Sequence, residues 1–373
     1  MGEPLRIGVV GLGKISGAYL STLGHLPGVQ VTALADLDPA RAAVAVQHAP
    51  GARACGVDEL LTADDVDLVL NLTIPAAHAE VATTALRAGK HVYGEKPFAL
   101  DLAQARAVLA AADGLRVGCA PDTVLGTGVQ TARKAVADGL IGVPTAANAT
   151  FTSPGHESWH PDPEFYYRPG GGPLFDMGPY YLTALVHLLG PVERVVAAAG
   201  RARTTRTIGS GARAGTEFAV EVDTHVSGVL VHTGGAITTL TTSFEVVAST
   251  QPRIEIHGTE GSLSVPDPNR FDGDVALRPR GADSWTVLAP SAGYVGAARG
   301  IGVLDLAVNH AAGRPHRASA EVAVHVLDVM ETLLAAAHQR SGLQVSTSCE
   351  RPAPVPLDAA ADGESARLTD APS

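Results

Sequence analysis

From residue 5 to about 120 the chain alternates short apolar runs with Ala-rich amphipathic stretches, and this rhythm restricts the fold more than any other feature. The runs at 5–10, 29–35, 68–73, 91–93 and 115–119 have strand length and are apolar at nearly every position. Residues 15–26, 39–47, 77–88 and 100–112, between them, carry apolar side chains at helical spacing. A strand apolar on both faces must be covered on both, and helices between successive strands do this by making the strands parallel. The expectation is an α/β chain whose first unit, 1–122, is a doubly wound parallel sheet of the Rossmann type. Beyond residue 123 the pattern changes to a helix at 128–138, a strand at 144–151, an irregular Pro- and Gly-rich stretch at 153–172 and a helix at 174–189. Val-, Thr- and Ile-rich segments at 192–200, 217–232, 236–247 and 253–257 follow, then helices at 301–311 and 320–338. This predicts an α+β domain over 123–345 with an open, mostly antiparallel sheet. The Arg-, Gly- and Thr-rich 201–215 reads as a mobile surface loop, and the Pro/Ala/Asp-rich 346–373 as a disordered tail.

The first strand runs into Gly11-Leu12-Gly13-Lys14-Ile15-Ser16-Gly17 and a helix follows. Gly11 permits the tight turn, and Gly13 lets backbone approach a pyrophosphate on the helix N-terminus. Gly11, Gly13, Lys14 and Ile15 are thus the expected phosphate cradle, against the alternative of a Gly-rich turn with no ligand. Asp36 ends the second strand, where a carboxylate accepts hydrogen bonds from an adenosine ribose. A 2′-phosphate there would be repelled, so NAD is expected over NADP, although Arg41 one helical turn on works against that preference.

Of the 27 Lys and Arg residues only four are lysine: Lys14, Lys90, Lys96 and Lys134. Lys96 alone emerges at the carboxyl end of a strand, in Glu95-Lys96-Pro97, where ligands of doubly wound sheets bind. There it can donate to a substrate oxygen as hydride leaves or arrives. The balance of charge, 38 Asp and Glu and a net -11, argues against nucleic-acid or anionic membrane surfaces. Cys55, Cys119 and Cys349 are odd in number and widely spaced, which points to a reducing compartment. No secretory leader or membrane-length apolar run is visible, so a cytoplasmic protein is expected.

These motifs resemble the glucose–fructose oxidoreductase / inositol dehydrogenase / MocA (Gfo/Idh/MocA) family of NAD(P)-dependent sugar and polyol dehydrogenases. The matching residues are Gly11-Leu12-Gly13, Asp36, Asn71-Leu72-Thr73-Ile74-Pro75 with His78, and Ala88-Gly89-Lys90-His91-Val92 leading to Glu95-Lys96-Pro97. Gly170-Gly171-Gly172-Pro173-Leu174-Phe175-Asp176-Met177-Gly178 and Ile256-His257-Gly258-Thr259-Glu260-Gly261 extend the likeness to about residue 343. The resemblance implies cofactor contacts from Thr73, Pro75, His78, Glu95 and Lys96, and a catalytic or substrate-polarising Lys96. Many relatives have His where Tyr180 stands and Asp where Thr183 stands. Asp176 and Tyr180 lie four apart on one helical face, continued by Thr183 and His187. Tyr180 is expected as acid/base with Lys96 stabilising its phenolate, and Asp176 as the residue orienting hydroxyls; the alternative is a pair of core aromatics and a local cap.

The family often carries Arg after the last Rossmann strand. Asp122 and Thr123 stand there instead and suit a neutral polyhydroxylated ligand. His156-Glu157-Ser158-Trp159-His160 matches the HExxH pattern of zinc proteases, but Pro154 and Pro161 leave room for only a turn, so no metal is expected. The segment reads better as a substrate loop, with Trp159 stacking on a sugar and His156, Glu157, His160 and Arg168 meeting hydroxyls. The overall expectation is hydride transfer between a secondary hydroxyl of a sugar, cyclic polyol or glycoside and nicotinamide, by a homodimer or homotetramer. Two rivals remain: redox-neutral glycoside elimination or cleavage through a keto intermediate, and a non-catalytic NAD-binding sensor.

Overall fold

The computed structural model describes residues 3–357. Its first part is the expected alternation: β1 (Leu5–Val10), α1 (Ser16–Leu23), β2 (Val29–Ala35), α2 (Pro39–Ala45), β3 (Arg53–Cys55), α3 (Val57–Thr62), β4 (Leu68–Asn71), α4 (His78–Arg87), β5 (His91–Gly94), α5 (Leu102–Ala110) and β6 (Val117–Cys119). All strand pairs are parallel, in the order β3-β2-β1-β4-β5-β6. Ile7, Val9, Leu34, Leu68 and Leu70 are fully buried in its centre, as two covered faces require. The sequence reading missed β3 and α3. The strand has only three residues, at a sheet edge, too short for any periodicity to register.

The chain continues through α6 (Thr127–Ala137), β7 (Pro144–Thr152), α7 (Gly172–Leu189), β8 (Val192–Gly200), β9 (Thr205–Thr207), β10 (Glu217–Ala219), β11 (His225–His232), β12 (Ile237–Ser243), β13 (Ile254–Gly258), β14 (Gly261–Val265), β15 (Val275–Pro279), β16 (Thr286–Leu288), α8 (Ile301–Ala311), α9 (Ala320–Gln339) and β17 (Leu343–Gln344). Nine strands form one sheet, β16-β15-β14-β13-β7-β12-β11-β8-β17, antiparallel except where β12 runs parallel to β7. α7 and α9 pack on one face of it. On the other face Val196 and its cross-strand partner Val229 are 48% and 39% exposed. No described helix is long and apolar enough to cross a membrane.

Two expectations about loops need correction. Residues 201–215 are not loop throughout: β9 pairs with β10 just beyond the stretch and Arg206 is buried, whereas 201–204 and 211–215 are exposed and lie outside any strand or helix, as expected. Burial of one arginine among carboxylates outweighs a composition typical of exposed loops. The stretch expected to be a disordered tail from 346 is fastened as far as 357. Thr347 N–H donates to Asp328 (2.7 Å), Arg351 Nε to the His187 carbonyl (2.9 Å) and Val355 N–H to Gln130 (2.9 Å). The remainder of that expectation, 358–373, lies outside the described residues.

Candidate active site

The candidate residues gather at the carboxyl ends of the first sheet's strands: Asp36, after β2, reaches the loop after β1, and Lys96, after β5, reaches Asp176 on α7. In the loop after β1 Gly11 adopts φ +93°, and a Cβ there would sit 2.6 Å from the Leu72 backbone carbon. Only glycine fits. Around Gly13 an added Cβ would meet nothing within 4 Å, so the backbone is open to a close ligand. Asp36 accepts from the Leu12 N–H (2.7 Å) and the Asp38 N–H (2.9 Å), which fixes its carboxylate beside the glycine loop. Leu12, Gly13, exposed Lys14, Arg41 and His48 line a groove of about 450 Å³ alongside it. Asn71 ties the β4 loop down, accepting from Thr73 Oγ1 (2.6 Å) and donating to the His78 carbonyl (3.0 Å). Pro75 and half-buried Ile15 stay at the rim, whereas His78 is buried, its ring nitrogens on the carbonyls of Pro97 (2.7 Å) and Thr73 (3.0 Å). His78 therefore braces the loops after β4 and β5 from behind rather than lining open space.

Glu95 is held at both oxygens: Tyr19 OH donates to Oε1 (2.7 Å) and the Lys96 N–H to Oε2 (3.0 Å). The Lys96–Pro97 peptide is cis. Lys96 Nζ reaches across to α7, donating to the Asp176 carbonyl (2.8 Å) and its Oδ1 (3.2 Å). His156 Nε2 takes the other carboxylate oxygen at 2.8 Å. Tyr180 completes the cluster, with its ring centroid 5.2 Å from Lys96 Nζ. Burial pushes Asp176 up, but the His156 hydrogen bond and the Lys96 charge together hold its carboxyl below the usual range. Burial likewise lowers Lys96, and Asp176, Tyr180 and Glu95 overcome it, so the ammonium keeps its proton. Tyr180 is raised by burial, against the opposing pull of Lys96 and Arg299.

The HExxH residues separate. His156 goes to Asp176. Glu157 turns inward, bonded by Tyr167 OH and by buried Arg206, which also pairs with Glu245 at 2.8 Å. His160 accepts from the Asp162 N–H (3.1 Å). Arg206 thereby anchors the loop that presents Trp159, 54% exposed, 5.2 Å between ring centroids from His156. Arg168 is exposed and stands outside the cluster around Asp176. Asp122 and Thr123 do not line open space, contrary to expectation. Both are fully buried, and Asp122 Oδ2 accepts the N–H groups of Gly300 (2.7 Å) and Gly302 (3.1 Å). Burial raises this carboxyl to about 6 in spite of those two donors. Their role is in the wall because the start of α8 closes over them.

Sequence reasoning missed Arg299, whose Nη2 donates to Tyr180 OH (3.2 Å) and Asn269 Oδ1 (3.0 Å). It also missed Arg206, Tyr19 and Asn269. No motif marks them, since each reaches its partner across a long stretch of chain. Among the described residues no cluster of His, Cys, Asp and Glu could hold a metal ion.

Residues 5–122 match a family model described as an oxidoreductase family with an NAD-binding Rossmann fold, and 129–264 match the GFO/IDH/MocA C-terminal domain. The 1,5-anhydro-D-fructose reductase of Ensifer adhaerens is 30% identical over 268 residues, covering 69% of this chain and 74% of the relative. The inositol 2-dehydrogenase of Rhizobium meliloti is 28% identical, covering 70% and 75%. The apo structure of a levoglucosan dehydrogenase superposes with a TM-score of 0.79 at 20% identity, over 93% of this chain and all of the other. At that identity the likeness speaks to the fold alone.

Proposed function

The chain belongs to the Gfo/Idh/MocA family of NAD-binding oxidoreductases, and on that footing we propose that it moves hydride between nicotinamide and a secondary hydroxyl of a sugar, cyclic polyol or glycoside. One observation supports this reading: Lys96, just past the end of β5, is held by hydrogen bonds from its Nζ to the carbonyl and the carboxylate of Asp176 on the facing helix. The nicotinamide, when bound, supplies or takes the hydride. Gly11 and Gly13 fit a pyrophosphate close to backbone, with Lys14 and Ile15 at its side, Asp36 on the ribose, and Thr73, Pro75 and Glu95 along the path to Lys96.

Lys96 polarises the reacting oxygen and stabilises the alkoxide character that grows as hydride leaves. Asp176, both oxygens already oriented, accepts a neighbouring substrate hydroxyl. Tyr180 exchanges the proton: burial holds it as a phenol at rest, which in reduction donates to the forming alkoxide, and in oxidation the phenolate, formed against that burial, takes the hydroxyl proton. Trp159 offers an apolar face to the ring. Asp36 favours NAD, although Lys14 and Arg41, which line the groove along the glycine loop, temper repulsion of a 2′-phosphate. Relatives named for an anhydro-sugar and an inositol support the substrate class.

The test is a panel of sugars, inositols and glycosides read by NADH absorbance, with NAD and NADP compared. Net NADH from at least one polyhydroxylated substrate is expected. Bound NAD turning over glycosides with no net NADH would replace this reading with redox-neutral cleavage.

A further inference from the structure

Tyrosine is a poor proton carrier at neutral pH unless cations face its oxygen. Here the Tyr180 oxygen accepts from Arg299 Nη2 at 3.2 Å, and the guanidinium carbon lies 5.6 Å from the ring centroid. The same Nη2 is steered by Asn269 at 3.0 Å, and Nη1 is buried with no hydrogen-bond partner among the described residues. Arg299 stands one residue ahead of Gly300, which caps α8 at φ +107°. Asp122, at the end of the first sheet, accepts the N–H groups of both Gly300 and Gly302. A Cβ at Gly302 would fall 2.0 Å from Tyr93 OH, so the turn seats directly against the first sheet. The carboxylate thus fixes the turn, and the turn aims the guanidinium.

We propose that Arg299 is the positioning residue for Tyr180: held by Asn269 and by the Asp122-fixed turn, it stabilises the negative charge that Tyr180 bears whenever the proton is on the substrate. This rests on the reading of Tyr180 as the acid/base. Every charged or titratable group near the phenol belongs in the balance. Lys96 and Glu95 face it from the end of β5, Arg299 from the turn before α8, Tyr166 from the 164–167 turn, and Asp176 from α7 itself. Burial raises the phenol, Lys96 and Arg299 oppose it, and Glu95 adds to it. Removing Arg299 leaves Lys96 as the only cation among these groups.

Ultraviolet titration of the whole protein, with the Tyr180→Phe spectrum subtracted, reads phenolate formation at Tyr180 without any substrate. Arg299→Met is expected to move that midpoint up by about one pH unit or more. It should shift the acidic limb of kcat/KM for oxidation by the same amount, lower kcat about ten- to a hundredfold at neutral pH, and leave the KM for NAD unchanged. Arg299→Lys should recover part of each effect because the charge returns without the fork geometry. Guanidinium ions should restore rate to Arg299→Ala. A midpoint and pH limb that stay at wild-type values in folded Arg299→Met protein, whether or not the rate falls, overturn the inference. Where melting shows that Arg299→Met is unfolded, Arg299→Lys is read by the same criterion. A phenol midpoint that follows Arg299 in a protein inactive on every sugar and polyol would support the pairing and defeat only the functional reading.

Discussion

Lys96 illustrates how position converts a common side chain into a specific one. A buried lysine ordinarily loses its proton, since desolvation penalises the ammonium. Asp176, Tyr180 and Glu95 reverse that here, which suits Lys96 to the proposed role of a fixed positive charge. Lys96→Ala is expected to lower kcat by about two to three decades while NAD affinity, read by fluorescence titration, is unchanged. A variant with wild-type turnover would remove Lys96 from the chemistry. Tyr180→Phe keeps the ring against Lys96 and deletes only the exchangeable proton, so kcat should fall by at least about two decades; an undiminished rate would pass the proton role to another group. The sequence made Lys96, Asp176 and Tyr180 legible, because a strand end and an i,i+4 spacing are local properties. Arg299 was not legible: it lies 119 residues from Tyr180 and no spacing joins them.

At the scale of the element, α7 divides its work along its length. Pro173 starts it, Asp176 and Tyr180 face Lys96, and further along the same stripe Thr183 and His187 are buried in the core. His187 is fully buried with neither ring nitrogen partnered among the described residues, and burial lowers it from the ordinary 6.5 to about 3. The native state keeps it neutral whereas the unfolded chain takes up a proton. Its contribution is therefore intact above 6.5 and is lost as pH falls towards 3, at about 1.4 kcal/mol per pH unit. His91 and His325, each lowered to about 4 chiefly by burial, act in the same direction. His187→Leu should match or exceed wild-type stability at neutral pH, since it removes two unpartnered buried nitrogens. Its advantage should widen as pH drops from 6.5 to 4, as followed by denaturant unfolding. Parallel stability curves for the two proteins would contradict this. The 201–215 segment teaches the converse lesson. Its composition is that of a loop, yet Arg206 meets Glu157 and Glu245 inside the protein and pulls a strand into place.

For the whole molecule, the candidate site draws on both domains, and the nine-stranded sheet leaves one face uncovered. Val196, Val229 and Ile237 are exposed on neighbouring strands there: Val196 and Val229 are cross-strand partners, and Ile237, opposite Val231, lies two residues further along the same face. We propose that this face joins subunits, as apolar sheet surface rarely stays wet. Sedimentation should find a dimer or tetramer, and Val196→Arg with Val229→Arg should shift it to monomer without unfolding. A wild-type protein that sediments as a monomer would rule this interface out.

What the sequence by itself determined is what depends on neighbours along the chain. The apolar rhythm set the parallel first sheet, Gly11 and Gly13 the tight turn after β1, and the spacing of Asp176 and Tyr180 their common helical face, since helix period, strand alternation and φ restrictions act over a few residues. Only the tertiary structure decided which charges meet. It put Asp122 inside a wall, Glu157 on Arg206, His156 on Asp176 and Arg299 on Tyr180. Those pairings are settled by desolvation: a buried charge must find its partner wherever the packed fold brings one near, however far away that partner lies in the chain.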